Sequence, residues 1–167
     1  MILAAAGAER PVTGPLVLLG GVLLSHPMPT IRITIGDRVL TGRLEESQAP
    51  ATCAAFLELL PLRGKLVQAR WSGEAGWVPL GDLDVGVGPE NATRRPAPGQ
   101  VLLYPKGASE TEILVPYGAT AFAARTGPLA GNHFLTLDGD GGCLREIGRR
   151  LLWEGAQDIL FEAIAGH

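Results

Sequence analysis

The chain has 167 residues, which fits one domain, since domains run to roughly 100–200 residues. It is 46% hydrophobic and 19% charged, with a net charge of −3. That balance excludes the basic footprint of a nucleic-acid binder and the polybasic cluster of a membrane-surface protein.

Residues 1–27 differ in character from the rest of the chain. The apolar run 15–24 is shorter than the ~20 residues a transmembrane helix needs. It has the length of a signal-peptide core, but Arg10 alone supplies positive charge and Glu9 cancels it. Met28 opens a strongly patterned strand. Residues 1–27 therefore read as an over-extended start or a disordered leader, with a signal peptide as the other reading, and 28–167 as one domain.

Ile31, Ile33 and Ile35 alternate with Arg32 and Thr34 as a half-buried strand, Gly36-Asp37 makes a hairpin turn, and 38–44 returns beside it. Pro50 suits the first turn of a helix over about 51–60, with Phe56, Leu59 and Leu60 on one face and Pro61 as its stop. Strands then come at short spacing over 65–71, 77–80, 100–104, 110–115, 119–124 and 132–137. Segment 86–99, with three prolines, reads as a long loop with a functional or covering role. A second helix over about 143–156 puts Leu144, Ile147, Leu151 and Leu152 on one stripe. About eight short strands, two helices and no βαβ rhythm predict a mainly β fold, a closed antiparallel β-barrel with two capping helices.

The richest stretch for chemistry is Arg70, Ser72 and Glu74 at the end of strand 65–71. On an extended chain they project together, while Val67, Ala69 and Trp71 face the other way, so they read as a pocket wall. The planar fork of Arg70 suits a carboxylate or imide oxygen. An Arg70–Glu74 ion pair closing a barrel end is the plainer reading. Glu110 and Glu112 flank Thr111 and share a face; a solvated strand suits Glu110, while Glu112 precedes an apolar run. His133, the one histidine inside the domain, is a polar step on an apolar strand. With Glu110 and Glu112 it would make a carboxylate-rich metal site, but no second internal histidine exists and no metal is assigned. Tyr104 and Tyr117 bracket turns and either line a mouth or cap the core. Cys53 and Cys143 are too few for a disulfide framework and read as reduced thiols in a cytoplasmic protein. Cys143 starts a helix without an obvious base and reads as inert. The run from Asp138 lacks the twelfth-position Glu of a calcium loop, since Arg149 stands there. Ser72 lacks the G-x-S-x-G elbow of a hydrolase.

The run Leu44-Glu-Glu-Ser-Gln-Ala-Pro50-Ala-Thr52-Cys-Ala-Ala-Phe56 resembles the opening of cyclophilins. Residues 30–157 look closer still to a bacterial family of uncharacterised proteins with a cyclophilin-like barrel. The matching stretches are Ala69-Arg-Trp-Ser-Gly-Glu74, Pro89-Glu-Asn91, Leu103-Tyr-Pro105, Ser109-Glu-Thr-Glu112, Pro116-Tyr-Gly118, Gly131-Asn-His133 and Leu152-Trp-Glu-Gly155. The resemblance implies a cyclophilin-like barrel and sets Arg70 near the arginine that assists prolyl isomerisation in cyclophilins. The Gln-Gly-Gly-Asp continuation and the aromatic-lined proline pocket have no counterpart after Glu74. Prolyl isomerase activity is therefore expected to be absent.

These readings converge on a small-molecule-binding protein. The expected polar pocket at the barrel edge is lined by Arg70, Ser72, Glu74, Tyr104, Glu112, Tyr117 and His133. No cofactor, nucleic-acid partner or membrane partner is expected, and a homo-oligomer stays open. The first alternative is an enzyme acting on a small amide, imide or carboxylated heterocycle, with Glu74 or His133 as acid/base and Arg70 as clamp. A raised pKa at Glu74 or Glu112 in a closed pocket would point that way. The second is an assembly subunit without chemistry, which a wide, flat apolar patch would mark.

Overall fold

The isoleucine alternation becomes β1 (Thr30–Ile35), with Ile31, Ile33 and Ile35 buried and Arg32 exposed. The computed structural model describes residues 28–139 and 141–165, so the leader 1–27, His26 and His167 lie outside the described residues. β2 (Arg38–Leu44) completes the expected hairpin, with Ile33 opposite Leu40. Next come α1 (Pro50–Glu58), β3 (Leu62–Gln68), β4 (Gly73–Gly81), the short β5 (Ala92–Thr93), β6 (Gln100–Tyr104) and β7 (Thr111–Thr120). The chain ends with β8 (Ala123–Ala124), β9 (Gly127–Pro128), β10 (Gly131–Leu137), α2 (Gly141–Trp153) and β11 (Gln157–Ile164).

Eight strands form one antiparallel ring in the order β2-β1-β11-β3-β4-β7-β6-β10, and β10 pairs back onto β2 through Leu135 and Leu44. Over the described residues the protein is thus a mainly β, closed eight-stranded barrel with two helices. Two strand expectations need correction, and one strand is unexpected. The strand read over 65–71 runs from Leu62 to Gln68 and stops short of Arg70 and Trp71, which sit in a bend. Residues 119–124 are not one strand: β7 carries on to Thr120, and the chain then swings out to pair β8 with β9 as a separate ribbon. The C-terminal strand β11 goes beyond the expected elements. It fits between β1 and β3 because Ile159 and Phe161 alternate inward.

Inside the barrel, Ile33, Leu66, Val101, Ile113, Val115 and Phe134 share one apolar cluster. Helix α1 drives Phe56 into it, with ring centroids 4.7 Å from Phe134 and 5.6 Å from Phe161. Helix α2 adds Leu144, Ile147 and Leu151. The loop ahead of β5 straps α1 in place. Its Glu90 carboxylate accepts from Thr52 N at 2.8 Å and Thr52 Oγ1 at 2.7 Å, at the helix start where backbone donors lack partners. Among the described residues, no helix is long and apolar enough to cross a membrane.

The opposite faces of β4, β6 and β7 carry a second cluster. Leu102, Leu114 and Phe122 are buried there, with Trp77 and Tyr104 packed against them. The β8–β9 ribbon supplies its cover, because Phe122 and Leu129 flank the ribbon and turn into this cluster.

Candidate functional site

Strand parity decides which side chains meet. On β7, Ile113, Val115 and Tyr117 belong to the barrel interior, so Glu112 and Leu114 face the other way. There the second cluster leaves a cavity of about 360 Å³, within the range of ligand pockets. Its walls carry Arg70, Trp71 and Ser72 from the bend before β4, Trp77 from β4, and Glu110 and Glu112 from the start of β7. Arg125 and Thr126, exposed at the turn of the ribbon, line its rim.

Ser72 is a structural pin for this site. Its Oγ donates to Ala123 O at 3.1 Å and accepts from Ala123 N at 3.2 Å, which ties the ribbon to the bend. Glu110 accepts from Gly81 N at 3.1 Å. Glu112 is only 7% exposed. Burial, then the neighbouring Glu110 charge, pushes its carboxyl up to about 7, while the Ser109 hydroxyl pulls the other way. Among the described residues, no carboxylate pairs with Arg70 or Arg125.

Three of the seven expected residues, Arg70, Ser72 and Glu112, therefore share one cavity. Tyr104 stands beside it: opposite Glu112 in the β6–β7 ladder, it packs edge-on to Phe122 at 5.7 Å, and its hydroxyl accepts from Ala108 N. Glu74, Tyr117 and His133 do not line it, which corrects the expected single pocket. Gly73 adopts φ +87°, and the β4–β7 register slips between Gly73 and Ala75. This bulge breaks the alternation that would have kept Glu74 beside Arg70. Glu74 instead accepts from Ala119 N at 2.6 Å.

Tyr117 is five positions from Glu112 on the same strand, an odd separation, so it points inward and donates to Gln68 Oε1 at 2.8 Å beneath α2. Burial raises its pKa. His133 lies on β10, two strands away from β7. Its Nε2 is 2.9 Å from Thr136 Oγ1, which donates to Glu45 Oε1. Burial lowers its pKa. The grouping of His133 with Glu110 and Glu112 is absent, and no described cluster of His, Cys, Asp or Glu could hold a metal ion.

Sequence reasoning passes over Arg125 and treats Glu110 as solvated. The i, i+2 spacing of Glu110 and Glu112 is the available signal for the second. For Arg125 no local signal exists, because the fold of the ribbon over β4 and β7 is a long-range event.

Comparison with known proteins bears on the fold. McbB, solved in complex with tryptophan, superposes with a TM-score of 0.64 at 19% identity, over 82% of this chain. The present chain spans 45% of that McbB chain, less than half of it. The hypothetical protein AF2241 from Archaeoglobus fulgidus, known from a solution structure, gives a TM-score of 0.56 at 18% identity, over 86% of this chain and 100% of its own. No curated protein matches. Residues 31–163, from β1 into β11, match the model of the protein family of unknown function DUF3830, and the chain belongs to that family.

Proposed function

We propose that the cavity under the β8–β9 ribbon binds a small molecule with an anionic group for Arg70 and Arg125 and a nitrogen donor for Glu112. The observation that carries this reading is a carboxyl only 7% exposed, in the same cavity as two guanidinium groups that have no carboxylate partner among the described residues. A buried carboxyl with few donors gains from a ligand amine or imide N–H, and an unpaired guanidinium gains from a carboxylate. Trp71 and Trp77 add aromatic walls for a planar ring. The tryptophan complex of McbB, a structural neighbour, supports an aromatic amino acid as the probe of choice.

The test is calorimetric titration of tryptophan, tryptamine and indole-3-propionate into wild type, Arg70→Ala and Glu112→Gln. Tryptophan should bind wild type more tightly than either compound lacking one of its two polar groups. Each substitution should weaken it roughly tenfold or more, the scale of one charge-assisted hydrogen bond. Equal tryptophan affinity in all three proteins would sink the reading.

A second reading has its own observation. A carboxyl titrating at about 7 is matched to acid/base work near neutral pH, so Glu112 suits proton transfer to a bound amide, imide or carboxylated heterocycle. A product-formation screen of such compounds tests it: turnover that survives Glu112→Gln would remove Glu112 from that role. Prolyl isomerisation forms no part of either reading.

A further inference from the structure

Three hollows meet at Trp71, a large apolar side chain left 56% exposed. The first is the cavity under the ribbon. The second lies between the β8–β9 ribbon and the segment around β5, and Arg94 and Arg95 line it. The third runs from Arg95 past Pro96 and Pro98 toward Gly118. The second and third contain no acidic residue.

The charges elsewhere are mostly spoken for. The lysines and the arginines of β1 and β2, with Arg149 and Arg150 of α2, pair with carboxylates. Among the described residues six arginines form no carboxylate pair; Arg63 and Arg145 lie elsewhere, and the other four, Arg70, Arg94, Arg95 and Arg125, line hollows that touch Trp71. A chain of net charge −3 thus gathers unneutralised positive charge around one exposed aromatic ring. The Arg94–Arg95 backbone is held in place: Arg94 O accepts from Phe122 N at 2.7 Å, Arg95 N donates to Thr93 Oγ1 at 3.2 Å, and Pro96 is buried. Both exposed side chains line this one hollow, and a guanidinium fork suits the oxygens of a phosphate, which accepts paired N–H bonds.

We propose that the Arg94–Arg95 hollow is a phosphate subsite serving the same ligand as the cavity, so that the ligand is a phosphorylated small molecule lying across Trp71. The proposal rests on the cavity reading for the ligand's other end. A nucleic-acid strand needs a longer basic track than these hollows provide, and the net negative charge of the chain opposes it.

The probe is inorganic pyrophosphate, titrated by calorimetry into the full chain, with tryptophan in parallel. Pyrophosphate should bind wild type and weaken as salt rises from about 50 to about 200 mM. It should lose roughly tenfold or more in the Arg94→Ala/Arg95→Ala variant, while tryptophan affinity stays unchanged there. An Arg94→Lys/Arg95→Lys variant keeps the charge, and it should lose part of the affinity because the fork is gone. No pyrophosphate binding to wild type at the lower salt, or equal binding to the alanine variant, would overturn the subsite. Citrate binding as tightly as pyrophosphate would reassign it to carboxylates, and a single-stranded oligonucleotide binding more tightly would reassign it to nucleic acid. Failure of tryptophan to bind bears on the cavity alone, and failure of pyrophosphate bears on this subsite alone.

Discussion

At Glu112 burial disfavours the charged carboxylate, and the adjacent Glu110 adds to that, lifting the carboxyl to about 7 from its ordinary 4.5. Between those two values the native chain holds a proton that the unfolded chain has released. Stability therefore falls as pH rises through that window and is level above it. The span corresponds to roughly 3 kcal/mol at neutral pH. His133, lowered by burial, works in the opposite sense, since the native state charges it reluctantly. Both effects overlap in any wild-type profile. Glu112→Gln keeps the side-chain shape and removes one titration, so the difference between the two proteins isolates it. The thermal-midpoint advantage of Glu112→Gln over wild type should widen from about pH 4.5 to about pH 7 and then hold steady. A constant difference across that range would mean that Glu112 ionises in the native state as it does in water.

Among the elements, β4 and β7 show what the sequence makes legible. The barrel, both helices and the first hairpin follow from periodicity, and so does the outward face of Glu112. Arg70 and Ser72 stand out by residue type, but the strand alternation expected to carry them stops at Gln68. They reach the cavity from a bend, together with Trp71, which that alternation would turn away. Glu74 does not, because a single glycine in a left-handed conformation turns it aside, and whether Gly73 bulges depends on its partner strand. Tyr117 is decidable in principle, since its odd spacing from Glu112 on one continuous strand forbids a shared face. Pro116 and Gly118 look like turn residues, however, and so hide the strand's passage through them. The arrival of the ribbon over β4 and β7 is tertiary and leaves no periodic trace. The α2–β7 contact carries a further consequence. Gly148 of α2 lies against the Tyr117 ring, so that a Cβ there would overlap ring carbons. Helix propensity alone would favour alanine by up to ~1 kcal/mol, but a rigid aromatic anchored by Gln68 cannot step back cheaply. Gly148→Ala should destabilise the protein by about 1–3 kcal/mol in urea denaturation. Stability equal to or above wild type would mean that α2 is not seated on Tyr117.

For the whole molecule, closure depends on the last strand of the chain. Among the described residues β11 is the one link between β1 and β3, facing β1 from Thr30 to Ile35 and β3 from Leu62 to Leu66. Without it both neighbours would present unpaired backbone edges, and the ring would open between β1 and β3, with β3 standing between the gap and the cavity wall of β4 and β7. The core would also lose Ile159 and Phe161, the latter in edge contact with Phe56 of α1. Removing one such side chain costs roughly 2–5 kcal/mol, and whole domains are stable by only about 5–15 kcal/mol. Losing two costs about 4–10 kcal/mol, and the loss of the strand's ladder on both sides adds to it, so most or all of that margin goes. A chain ended after Ala156 should therefore show no cooperative thermal transition, although every cavity residue is still present. A synthetic peptide covering 157–165 should restore the transition by strand addition, since the gap it fills is fixed in register by β1 and β3. Cooperative melting of the truncated chain alone would show that the remaining seven strands hold the barrel without closure, and that the cavity face folds independently of β11.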